Sequence, residues 1–261
     1  MPKWLLPLGR ALYAVGLASL GLMHFFFMNF PWVVVPEFPA WIPLRLLWIF
    51  VLGAALTAAG AAILFNRRGR KVAAWTGLGL LALVVIVHLP YQLTGAYVAV
   101  LGAWTNAIKE LALAGGAWIC ALSLGRGRGD IPGWLERSLP LGRYFFAALL
   151  ILFGVEHFLY PGFVASLVPA WIGNQIFWTY FAGVALIAGG AGMLVRRVAS
   201  LASLLVGAML LLWVLMLHIP RAIADPYTHV GNEWASVFEA LAFSGMAFML
   251  AALQERETPL P

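Results

Sequence analysis

The chain states its pattern twice. Pro7-Leu8-Gly9-Arg10 returns as Pro140-Leu141-Gly142-Arg143, and Gly21-Leu22-Met23-His24-Phe25 returns as Gly154-Val155-Glu156-His157-Phe158, both at an offset of 133. Three residues then drop out of the second copy. From there the offset is 130: Pro31/Pro161, Pro39-Ala40-Trp41-Ile42/Pro169-Ala170-Trp171-Ile172, Trp48/Trp178, Gly53/Gly183, Gly60/Gly190, Gly77/Gly207, His88/His218 and Pro90/Pro220. Glu110/Glu239 follows at 129. Self-similarity this long predicts one structural unit used twice, and directs attention to polar residues present in both copies.

Hydrophobic residues make up 63% of the chain and charged residues 10%, a balance suited to a bilayer and not to water. A span needs about 20 apolar residues at about 1.5 Å rise each. Eight stretches qualify, near 9–29, 44–65, 71–89, 104–123, 142–160, 176–195, 198–219 and 234–253. The expected fold is therefore all-α integral membrane: eight transmembrane helices as a parallel tandem duplication of a four-helix bundle. The first repeat is expected over 1–124, a cytoplasmic linker over 125–141 and the second repeat over 142–261. An even number of spans per repeat gives both copies one orientation, with a pseudo-twofold axis along the membrane normal.

Basic residues set the direction. Lys3, Arg10, Arg67, Arg68, Arg70, Lys71, Arg126, Arg128, Arg137, Arg143, Arg196, Arg197 and Arg256 fall at the termini or in the turns after the even-numbered spans. Only Arg45, Lys109 and Arg221 lie on the other side. The positive-inside rule then puts both termini in the cytoplasm, in a multi-pass cell-membrane protein. The net charge of +6 is read as this topology signal, with the lipid bilayer as partner and no nucleic acid. The first apolar stretch follows a basic segment as a signal peptide would, but its partner at 142–160 lies mid-chain, so it is expected to be a retained helix. Cys120 stands alone, which leaves no intrachain disulfide and no CxxC pair. Small-residue runs around Gly53–Ala62 and Gly183–Gly192 suit close helix packing in lipid.

On this topology the histidines share the non-cytoplasmic side. His24 and His157 lie near the outer ends of helices one and five, His88 and His218 end helices three and seven, and Glu110 and Glu239 sit about two turns into helices four and eight. His229 is in the last outer loop. Each repeat thus offers two imidazoles and a carboxyl from three helices, enough to build a site at the mouth of a bundle. Ionisable groups at membrane depth are costly, so they point to function or to mutual pairing as structural glue. Both readings stay open here. Repeat two has Glu156 and Arg221 where repeat one has Met23 and Tyr91, and the joint appearance of an acid and a base predicts an ion pair between them. Repeat one is expected to use Lys109 with Glu37 or Glu110. No metal site is expected, and neither a P-loop, a soluble nucleotide motif nor zinc-type spacing is present. Phe30-Pro31 and Tyr160-Pro161, leading to Pro-Ala-Trp-Ile in each copy, suit an interfacial cap or an aromatic belt.

His-Phe shortly before a proline, the Pro-Ala-Trp turn, the tryptophan opening helix two, the glycine-rich helix two, the basic turn, His at the end of helix three and Glu in helix four together resemble the DoxX family. The resemblance spans nearly the whole chain as two tandem four-helix units. It implies a redox-associated membrane subunit, since the wider family includes subunits linked to thiosulfate:quinone oxidoreduction and membrane components of redox-stress complexes. It also implies a redox partner protein or larger complex, and a quinone or haem near His24, His88, Glu110, His157, His218 and Glu239. Neutral imidazole can bind haem iron or hydrogen-bond a quinone carbonyl, and a carboxyl can exchange the proton. The chain departs from the single-unit pattern by fusing two copies, and its lone cysteine offers no thiol centre. The alternatives are a structural or anchoring subunit of a membrane complex, and a small-molecule or lipid binding or transport protein.

Overall fold

The computed structural model describes residues 1–36, 42–125 and 130–257, and among these no strand occurs. Eight long helical segments carry the architecture. They are α1 (Leu5–Phe27), α2 (Arg45–Leu64), α3 (Gly69–Leu83), α4 (Thr105–Ser123), α5 (Gly142–Leu159), α6 (Gln175–Gly192), α7 (Ala199–Trp213) and α8 (Thr228–Glu257). Among the described residues seven helical segments are long and apolar enough to cross a membrane. Among the long helices the one left out is α4, which opens on the polar residues Thr105, Asn106, Lys109 and Glu110. Its residues are mostly enclosed by other helices, so the face it shows to lipid is small and need not be strongly apolar.

The helices are joined through glycine contacts that leave no room for a Cβ. A Cβ on Gly53 would lie 2.7 Å from the His24 Cβ, and one on Gly60 2.5 Å from the Ala14 carbonyl, which seats α2 on α1. The same arrangement seats α6 on α5, where Gly183 faces His157 and Gly190 faces Ala147. Gly77 packs on Trp118 between α3 and α4, as Gly207 packs on Phe248 between α7 and α8. Close backbone approach of this kind is how small residues bind helices together in an apolar solvent, where dispersion replaces the hydrophobic drive.

The two halves of the chain interlock rather than stand side by side. α4 packs against α5, the first helix of the second half, and α8 packs against α1, the first helix of the first half; α4 and α8 also touch each other. Both cross-half seams close on a pair of glycines. A Cβ on Gly115 would lie 2.7 Å from the Gly142 carbonyl, and one on Gly9 2.7 Å from the Gly245 carbonyl. These seams fix the register of α4 against α8. Gly115 corresponds to Gly245 at an offset of 130, so Lys109 corresponds to Glu239, and Glu110 to Ala240. Reading Glu110 and Glu239 as counterparts at 129 is thereby corrected, because a one-residue slip would rotate the carboxyl by about 100° around the helix.

The N-terminal ammonium pairs with Glu255, which puts both ends of the described chain at one end of the molecule. The turn between α2 and α3 lies there too, since Arg70, nearly fully buried, pairs with Asp130 and Glu136. The histidines occupy the opposite end. α3 widens into a π-turn over Val84–His88 and continues as a short helix, Leu89–Thr94; α7 does the same over Val214–His218 and Ile219–Ala224. Pro90 and Pro220 explain both turns. A proline ring removes the N–H and collides with the carbonyl four residues back, and a one-residue widening relieves the clash. The π-turn also re-aims the histidine that closes it.

The three additional residues between His24 and Pro31 do not lengthen α1 outward. α1 stops at Phe27 with Met28 in the left-handed region, and the following segment folds inward, burying Phe30, Val33, Val34 and Val35. In the second half the corresponding stretch is the short helix Pro161–Leu167, lying outside with Phe163 at 67% exposure. Glu37 and Pro39-Ala40-Trp41 lie outside the described residues, as do Arg126 and Arg128 of the linker.

Candidate functional site

In the first half the histidines are sealed. The His24 Nδ1–H donates to the Leu20 carbonyl (2.9 Å), one turn back on α1, and the His88 Nε2–H donates to the Val33 carbonyl (3.0 Å) of the inward-folded segment. Phe30 meets the His24 ring edge-on with centroids 5.8 Å apart. Both histidines have no exposed surface. With one nitrogen of each ring donating to a carbonyl, the other, His24 Nε2 and His88 Nδ1, carries a lone pair, and each is buried with no hydrogen-bond partner. Both carboxyl oxygens of Glu110 are buried and unpartnered as well. His24, His88 and Glu110 are not joined to one another by any hydrogen bond or ion pair among the described residues.

The second half is arranged differently, and most of its site residues are only partly buried. His157 Nδ1–H again donates one turn back, to the Phe153 carbonyl (2.6 Å), but the residue is only half-buried and its ring lies nearly parallel to Trp213, centroids 6.4 Å apart and planes 20° apart. His218, half-buried at the end of its π-turn, has no carbonyl above it, because the segment that covers His88 in the first half is here the displaced helix Pro161–Leu167.

Charged groups crowd this end. Arg221 donates from Nε and Nη2 to the two carboxylate oxygens of Glu233 at 3.0 and 2.6 Å. The expected Glu156–Arg221 pair is therefore not formed: Glu233 sits at the start of the regular part of α8, directly across from Arg221, and offers a bidentate fork that a guanidinium matches well. Glu156 instead accepts a hydrogen bond from the Thr105 hydroxyl (2.6 Å). Lys109 pairs with Glu239 (2.9 Å); of its two expected partners, Glu110 is not paired with it and Glu37 lies outside the described residues. Neighbours in a helix sequence point about 100° apart, so the Lys109 ammonium and the Glu110 carboxyl cannot share a face. Lys109 also lies within electrostatic reach of Glu156 and His218. It is the hub through which α4 of the first half enters the site of the second.

Sequence reasoning missed Thr105, Trp213 and Glu233. A usable signal existed for one contact: holding the offset at 130 through α4 and α8 puts Lys109 opposite Glu239, two residues of opposite charge at one repeat position. His229, in a left-handed turn, meets Trp32 at a tilt of 44° with centroids 5.4 Å apart, and takes no part in either set. Among the described residues no three of His, Cys, Asp and Glu gather closely enough to hold a metal ion.

A family model described as a domain of unknown function, DUF8561, matches residues 146–242. The matched region holds Glu156, His157, Trp213, His218, Arg221, Glu233 and Glu239, and no residue of the first half. No curated protein and no solved structure matches the chain.

Proposed function

We propose that this protein is a DoxX-like membrane subunit that binds an amphiphilic ligand of the quinone class at the histidine end of its second half, as a partner to a redox protein. The observation that carries the reading is the contrast between the halves. His88 is capped by a carbonyl of its own chain, whereas His218, partly buried, has no such cap among the described residues and lies at the same end as the flat aromatic pair of His157 and Trp213. A quinone needs such an arrangement: an aromatic face for its ring, a donor for each carbonyl, and a group to exchange protons when it is reduced. His218 and Lys109 supply donors, and Glu156 is placed for the exchange. Electrons would come from the partner protein, since no thiol pair is present. Haem fits less well, because the free nitrogens of His24 and His88 are walled in by protein.

In this reading the chain has eight spans, α4 being the eighth, in two repeats related by a pseudo-twofold axis. The recurrence of the glycine seams at the sequence offsets supports it. Lys109 and Glu239 touch although they are the same repeat position, as residues on such an axis must. Both termini face the cytoplasm and the histidine end faces outward, on the partition of the basic residues. In a Cys120→Ser background, Tyr97→Cys should react with an impermeant maleimide on intact cells and Arg67→Cys only after permeabilisation; the reverse pattern would invert the topology.

The test of the ligand is an organic extract of the protein purified in mild detergent, analysed by mass spectrometry. A quinone recovered near one per chain, and at a reduced level from His218→Ala, is the expected result. An extract free of quinone, with an unchanged melting temperature on adding a short-chain quinone, would favour the second reading. That reading, a structural subunit, has its own observation: Lys109–Glu239 and Thr105–Glu156 both tie α4 to the second half, as glue would.

A further inference from the structure

Glu110 is the one acid among the described residues whose two carboxyl oxygens are both buried without a partner. It lies on α4, the helix that meets α3, α5 and α8, and has no exposed surface. The groups that could neutralise it are committed elsewhere. Lys109 is held by Glu239 at 2.9 Å, and the Tyr13 hydroxyl, on α1, donates to the Leu113 carbonyl at 2.7 Å. The charged group from α8 within electrostatic reach of Glu110 is Glu239, an acid, which can only disfavour a second negative charge nearby. An ionised carboxylate there would face the full cost of desolvation with neither a cation nor a hydrogen bond to offset it.

We infer that Glu110 is a proton-binding site: a neutral carboxylic acid kept in the interior at the junction of the two halves, whose proton can be given up only when a base or cation is brought to it. The acid belongs to one half alone, since the corresponding position in α8 is Ala240. A packing role would not need it, because a methyl group fills that place in the other half. The inference rests on the burial and missing partners of Glu110 and not on the quinone reading.

Infrared spectroscopy of the purified protein at neutral pH tests it. A carbonyl stretch of protonated carboxylic acid is expected in the wild type, shifting in heavy water, lost in Glu110→Gln and kept in Glu233→Gln. Should Glu110→Gln fail to fold, a hydrophobic carbodiimide is applied to the wild type, since it attacks protonated acids in apolar surroundings; the adduct is expected on the peptide holding Glu110. A band of undiminished intensity in Glu110→Gln, or an adduct on Glu239 and none on Glu110, would overturn the inference. Quinone retention by Glu110→Gln should equal that of the wild type, so a failure here leaves the ligand reading untouched.

Discussion

Lys109→Met is expected to lower the stability of the protein more than any other single charge removal. The Glu239 side chain is 5% exposed and Lys109 is its only ion-pair partner among the described residues. Removing the cation leaves a buried carboxylate beside Glu110, and breaking a buried pair from one side costs about 3–5 kcal/mol. Removing both sides costs far less, because the desolvation penalty goes with the charges. The double variant Lys109→Met/Glu239→Leu should therefore recover most of the loss, giving a coupling energy of several kcal/mol in a double-mutant cycle. Thermal unfolding in detergent reads it. A Lys109→Met protein within about 0.5 kcal/mol of the wild type, the range of an ordinary surface change, would mean that the pair does not hold the halves together.

Gly245→Leu should be as severe, for a steric reason. A Cβ there would lie 2.5 Å from the Gly9 carbonyl oxygen and 2.6 Å from the Tyr13 nitrogen, both backbone atoms of α1. No side-chain rotation relieves such a contact, so α1 and α8 must part, with loss of the packing on both faces. Overpacking commonly costs about 1–3 kcal/mol and more where backbone must move. Gly79→Leu is the matched control, since nothing lies within 4 Å of its Cβ position. Monodisperse recovery on size exclusion should collapse for Gly245→Leu and stay near wild type for Gly79→Leu; equal recovery would contradict the close approach of the two helices.

The parts of this fold that sequence made legible are those governed by solvent and by period. Apolar runs located the helices, with the start of α1 falling at Leu5 rather than residue 9 because Leu5 and Leu6 are buried against other helices. Glycine recurrence marked the close seams, though not which helices they join: nothing in Gly115 says that its partner is Gly142. The cross-half packing decided the electrostatics. Once α4 lies against α5 and α8, Thr105 and Lys109 face Glu156 and Glu239, and the pairings expected within each half give way. The π-turns were not foreshadowed: Pro90 and Pro220 point to helix ends at His88 and His218, whereas each helix widens there and runs on to Thr94 and Ala224. The inward fold of Phe30–Val35 was not foreshadowed either, because three extra residues say only that a loop differs, and apolar valines serve equally in an interfacial belt or as a lid. Glu233 was hidden by its distance of 12 residues from Arg221 across a loop.

The account rests on the claim that the second half holds the working site and the first half holds its sealed counterpart. Titrating a short-chain quinone into detergent-solubilised wild type, His218→Ala and His88→Ala, with the shift in melting temperature as readout, tests that claim most directly. Losing one hydrogen bond, worth about 1 kcal/mol net, should raise the half-saturating concentration about fivefold in His218→Ala. His88→Ala should melt lower without ligand, because it breaks the bond to Val33, yet keep the wild-type half-saturation. Unchanged quinone affinity in His218→Ala together with a weakened response in His88→Ala would contradict the assignment and move the site to the first half.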